Sequence, residues 1–181
     1  MELRERRIRE AFDILQRFKA RTLHERMTGP ADPGPAAIRD RASPITLDRL
    51  QRDVLRKGEL FVDTYLSPEI VLVFGVTRDS CRAITVRGTG SELKSQIEVL
   101  HDMLAVPGDG ANTSGESGFL DRAGRRLGGR LLGPVADLLH GCRRVIVAPD
   151  GELNRIPFAV LVVATSRAGD GDVLLSEREV V

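Results

Sequence analysis

The chain has 181 residues and a net charge of +1, from 27 Lys+Arg against 26 Asp+Glu, which suits one domain with a small appendage and excludes a strongly basic nucleic-acid binder. No run is long and apolar enough to span a membrane, and the charged Met1–Arg7 leads to no signal core. Cys81 and Cys142 make neither a disulfide framework nor a zinc set, so a cytoplasmic chain with reduced thiols and no metal or cofactor is expected.

Residues 2–27 predict one amphipathic helix. Ile8, Phe12, Leu15 and Phe18 recur at spacings of four, three and three, which makes a single apolar stripe. A helix with such a stripe must bury it against another element. The Gly- and Pro-rich run from Gly29 to Pro35 then breaks the pattern, and 28–44 is expected to be a linker. A short helix follows, capped by Thr46, striped by Leu47, Leu50 and Val54, and ended by Gly58.

Three strand patterns come next. Leu60, Val62, Thr64 and Leu66 alternate with Phe61, Asp63 and Tyr65; Ile70–Val76 is almost continuously apolar; Cys81–Val86 is mixed, after a turn at Arg78-Asp79-Ser80. Ser91 is the expected cap of a helix carrying Leu93, Ile97, Leu100 and Leu104. Residues 107–118 are polar and glycine-rich and predict a loop. A helical pattern resumes through Leu120, Leu127, Leu131, Val135 and Leu138, weakened by Gly128-Gly129 and Gly133-Pro134, with Gly141 as its C-cap. A buried strand over 143–148 closes in the turn Pro149-Asp150-Gly151. The apolar segment Leu153–Val163 follows it, and one more strand is expected over 173–181. An unpaired apolar strand there predicts aggregation or dimerisation unless a partner covers it.

Few residues offer chemistry. His140-Gly141-Cys142 can be read as a nucleophile beside its base. It can also be read as a helix-end histidine followed by a core cysteine. Cys-His catalysis draws its pair from separate elements, which favours the second reading. His24 and His101 lie in helical patterns without a ligand cluster, and solvated positions are expected for both. Gly88-Thr89-Gly90-Ser91 precedes a helix and could hold an anion, but it lacks a Walker lysine and a third glycine, so a plain strand-to-helix turn is the better reading. Asp150 follows a buried strand at its carboxyl end, where open α/β sheets bind ligands. A simple Asp-Gly turn explains it equally well.

Arg143-Arg144-Val145-Ile146-Val147-Ala148-Pro149-Asp150-Gly151, Leu153-Asn154, Ile156-Pro157-Phe158-Ala159 and Leu161 resemble the central motif of CHAT domains. These are caspase-like cysteine peptidase domains commonly fused to tetratricopeptide repeats. Asp63-Thr64-Tyr65-Leu66, the hairpin after it and the helix at 91–105 fit the same order, and residues 11–23 resemble the helix that joins the repeats to the domain. The resemblance implies an α/β, caspase-like three-layer sandwich that is incomplete. It divides the chain into a linking helix at 1–28, a linker at 29–44 and the N-terminal half of the domain at 45–181.

The family's catalytic His-Gly and Cys stand on later strands, and neither strand occurs in these residues. No catalytic residue is therefore carried over, and the chain alone is expected to be inactive. Asp150 would border the pocket for the residue before the scissile bond, where a carboxylate could pair with a basic side chain. Pro149, Gly151, Leu153, Pro157 and Phe158 would be structural. The expected partners are a protein or peptide, including a second chain with the catalytic half or the repeats, and neither nucleic acid nor membrane. Two other readings stay open: a non-catalytic interaction module, and an unrelated small-ligand-binding α/β domain.

Overall fold

The structure is a computed structural model that describes residues 2–28, 44–87, 90–105, 114–163, 173–175 and 178–181. The chain divides into two compact units, Met1–Leu55 and Arg56–Val181. The break falls ten residues beyond position 45, so the short helix expected to open the second domain belongs to the first unit. The expected linker lies almost wholly outside the described residues.

In the first unit, helix α1 spans Glu2–Thr28. Phe12 and Leu15 are buried, but Phe18 is 53% exposed, so the expected stripe stops short of it. Helix α2 is a single turn, Leu47–Arg49, that runs into a π turn at Leu50–Val54. The Thr46 hydroxyl accepts from the Arg49 N–H at 3.3 Å and caps it. The Asp13 carboxylate of α1 accepts from the Leu47 N–H at 2.9 Å, and Arg9 pairs with Asp48. The π turn inserts one extra residue per turn. The buried row is therefore Leu47, Leu50 and Leu55, while Val54 is turned out to solvent.

The second unit is mixed α/β. Its sheet contains β1 (Glu59–Leu66), β2 (Ile70–Val76), β3 (Cys81–Arg87), β4 (Arg144–Ala148) and β7 (Glu179–Val180), in the order β3-β2-β1-β4-β7. The β1–β2 and β2–β3 pairs are antiparallel; β1–β4 and β4–β7 are parallel. The alternation expected along β1 sets Leu60, Val62 and Thr64 on one face and Phe61, Asp63 and Tyr65 on the other. The Leu60 face joins the main apolar cluster with Val71, Val73 and Val145.

Helix α3 (Gly90–Ala105), helix α4 (Ser114–Leu131) and helix α5 (Ala136–Leu139) supply the rest of that cluster through Leu93, Ile97, Leu100, Leu127, Leu131 and Leu139. Gly75 of β2 lets the start of α5 come close: a Cβ there would stand 2.8 Å from Val135 Cγ1, just ahead of that helix, and 3.0 Å from Leu138 Cδ1 within it. Leu104, the last expected member of the α3 stripe, is exposed. Helix α3 has already begun at Gly90, so Ser91 sits inside it rather than capping it.

The expected loop at 107–118 is corrected in part, because Ser114–Gly118 belong to α4. Residues 106–113 lie outside the described residues. Gly128-Gly129 stay within α4, whereas the α-helical run ends ahead of Gly133-Pro134, which open a 3-10 turn, Gly133–Val135, before α5. Another glycine of α4 is needed for packing. A Cβ at Gly124 would sit 2.5 Å from the Val160 carbonyl oxygen. The apolar segment after the Pro149 turn, for which the pattern set no element type, is mostly 3-10 turn. It forms two 3-10 turns, Gly151–Arg155 and Phe158–Val160, before β5 (Val162–Val163) pairs with β6 (Val173–Leu174). The strand expected over 173–181 is thus two short pieces, in β6 and β7.

Candidate functional site

The parallel strands β1 and β4 run in register from Glu59 opposite Arg144 to Asp63 opposite Ala148. Their carboxyl ends therefore lie at one edge of the sheet. From that edge β1 leads to β2 on one side, and β4 leads to β7 on the other. Divergence of this kind between neighbouring parallel strands is where open α/β sheets form ligand crevices.

Beyond Ala148 the chain turns for reasons written in its residues. Pro149 has no N–H and cannot extend the ladder. Asp150 stays extended, and Gly151 takes φ +54°. A Cβ at Gly151 would meet only Leu66 Cδ2, at an ordinary 3.7 Å, so backbone conformation rather than space demands glycine here. The 3-10 turn that follows is closed by the Leu153 N–H donating to the Asp150 carbonyl at 3.1 Å and by Asn154 Nδ2 donating to the Gly151 carbonyl at 3.0 Å. Leu153 and Phe158 are buried in the core, Pro149 is half-buried and Pro157 is exposed ahead of the second 3-10 turn.

Two side chains join the strand ends past the last ladder pair. Thr64 Oγ1 donates to the Ala148 carbonyl at 3.4 Å, and Asp150 Oδ2 accepts from the Leu66 N–H at 3.0 Å. Among the described residues Asp150 Oδ1 accepts no hydrogen bond, which leaves that oxygen able to receive a cationic donor. A chain of polar contacts runs alongside. Glu152 lies 3.8 Å from Lys94 and 3.5 Å from Arg155, and Arg155 Nη2 is 3.3 Å from His101 Nδ1. His101, expected as a merely solvated helix residue, therefore ties α3 to the turn after Asp150. Nothing in a separation of 54 residues announces that contact.

The other candidates do not assemble. The Cys142 thiol is buried and donates to the Arg144 carbonyl at 2.9 Å, and burial pushes its pKa up, which suits an inert core thiol. His140 ends α5. The His24 side chain, Gly88 and Thr89 lie outside the described residues. No group of three or more His, Cys, Asp or Glu is placed to hold a metal ion among the described residues, and no helix among them is long and apolar enough to cross a membrane. Comparison with family models, with curated proteins and with solved structures returned no match.

Proposed function

We propose that these residues form the N-terminal portion of a CHAT-type, caspase-like domain and supply one wall of its substrate cleft. The observation that carries this reading is the Pro149-Asp150-Gly151 turn, standing at the carboxyl end of β4 with its carboxylate joined to the end of β1. The order of elements supports it as well: a β1–β2–β3 meander, then helices, then a parallel strand returning beside β1.

The activity of such a domain is thiol-dependent peptide hydrolysis. A thiolate attacks the scissile carbonyl, an imidazole moves the proton, and backbone N–H groups hold the oxyanion. Residues 1–181 carry neither the His-Gly strand nor the Cys strand for that chemistry. The part assigned to them is recognition, with Asp150 receiving a Lys or Arg side chain of the peptide. Strands beyond these residues, or a second chain, would bring the thiol and the imidazole. Tetratricopeptide repeats would adjoin α1, and the setting would be cytoplasmic.

The test uses the full reading frame that contains these residues and a thiol-directed peptide probe with arginine before the reactive group. Labelling is expected at a cysteine outside residues 1–181, with Cys81 and Cys142 untouched. A folded full-length product that takes no label, or takes it at Cys142, would overturn the proposal.

A further inference from the structure

Two polar ties join α3 to the 3-10 turn that follows Asp150. Lys94 lies 3.8 Å from Glu152, and Arg155 Nη2 lies 3.3 Å from His101 Nδ1. Lys94 and His101 are seven residues apart, close to two full turns, so both stand on the side of α3 that meets the turn. The two ties differ in kind. The first joins opposite charges and holds wherever the carboxyl is ionised. In the second a guanidinium, which can only donate, meets a ring nitrogen, and the bond exists only while Nδ1 keeps its lone pair. Each partner of this second tie has an alternative at hand. His101 Nδ1 is 3.6 Å from Asp102 Oδ1, and Arg155 Nη1 is 3.5 Å from Glu152 Oε2.

We infer that His101 is a pH-sensitive latch on the turn after Asp150: neutral, it accepts from Arg155 and holds the turn to α3; protonated, it donates from Nδ1 to Asp102 and releases Arg155 to Glu152. Histidine is the side chain whose ordinary charge change falls between pH 5 and pH 8. Protonation turns Nδ1 from acceptor into donor and sets an imidazolium beside a guanidinium, and like charges so placed repel. The surrounding charges leave Arg155 as the cation that the protonated ring meets. On α3, Glu98 stands one turn back on the same side, and Lys94 is two turns back and held by Glu152. From α4, Arg126 and Arg130 reach α3 at Glu92. Glu92 lies nine residues before His101 and so on the opposite side of the helix. The turn itself supplies Glu152 and Arg155. This inference rests on the packing of α3 against the turn and does not depend on the peptidase reading.

The test measures amide hydrogen exchange in the 181-residue chain at about pH 7.5 and about pH 5.5, with each amide corrected for its intrinsic rate. Ordinary carboxyl groups stay ionised across that range, whereas a histidine ring does not stay neutral. The Leu153 and Ile156 N–H groups close the turn by donating to the Asp150 and Leu153 carbonyls. Their protection should fall about threefold or more at the lower pH, while that of α4 amides holds. His101→Gln keeps an acceptor that does not titrate, and Arg155→Gln removes the cation. Each should abolish the difference, with circular dichroism unchanged because neither side chain is buried. Asp102→Asn should shrink the difference, because the protonated ring loses the carboxylate that receives it. Equal protection of the parent at the two pH values would overturn the inference. So would a pH step that survives in His101→Gln, or one of full size in Asp102→Asn.

Discussion

Asp150 and Leu66 are 84 residues apart, yet the Asp150 carboxylate accepts the Leu66 backbone N–H at 3.0 Å. The bond closes the gap between β1 and β4 three residues past Asp63 and two past Ala148, their last ladder pair. It uses Oδ2 and so fixes where Oδ1 can point. The same carboxylate thus has a structural task and a proposed recognition task, and substitution can separate them.

Asp150→Asn keeps an oxygen that can accept from Leu66 but removes the charge; Asp150→Ala removes both. The alanine variant should lose about 1 kcal/mol of unfolding free energy, the usual loss for one such hydrogen bond. The asparagine variant should stay close to the parent. Urea midpoints for the three proteins check this, and equal midpoints for parent and alanine would deny the bond any structural role.

The glycines make opposite predictions. In α4, a Cβ at Gly129 meets nothing within 4 Å, so Gly129→Ala should stabilise by about 0.5–1 kcal/mol. Gly124→Ala in the same helix must push away the Val160 carbonyl and should destabilise. Gly151→Ala should cost about 1–2 kcal/mol because it forces a side chain into left-handed backbone. Thermal midpoints of the three variants give the order directly.

Glu59 contributes to the pH dependence, as does Glu92, whose carboxyl Arg130 also holds below its ordinary value. At Glu59, the Arg56 backbone N–H, 2.8 Å away, and then Arg144 hold the carboxyl below the ordinary 4.5. A folded pKa below the unfolded one contributes stability above about pH 4.5 that is lost as pH falls through the folded value. Glu59→Gln should flatten the fall in urea midpoint between pH 5 and pH 3. An unchanged slope would mean that other carboxylates govern acid unfolding.

The two thiols should differ in reactivity. Cys142 is buried with a raised pKa, whereas Cys81 is partly exposed on β3. Iodoacetamide should modify Cys81 in the native protein and Cys142 only after unfolding, as peptide mass spectrometry would show.

Local pattern made much of this fold legible. Alternation along Leu60–Leu66 placed β1, the spacing of Leu93, Ile97 and Leu100 placed α3, and Pro149-Asp150-Gly151 placed the turn. What stayed hidden depends on distant partners. Gly and Ser at 114–118 suggest a loop by composition, but α4 begins there. Phe18 fits the α1 stripe by spacing and is nonetheless turned outward, and a π turn moves burial from Val54 to Leu55. In the candidate site the position of Asp150 was readable from its strand. Its bond to Leu66 was not, because only the parallel pairing of β1 with β4 brings the two together. The contact of Arg155 with His101 was hidden because only the packing of α3 beside the turn after Asp150 brings them together.

The central claim is that the Asp150 carboxylate recognises a basic side chain. The most direct measurement compares peptide cleavage by the full reading frame and by its Asp150→Asn variant, with arginine or a neutral residue before the scissile bond. The account predicts that the variant folds normally and loses its preference for arginine by about tenfold or more, with cleavage of neutral peptides retained. An undiminished arginine preference in a folded variant would contradict it.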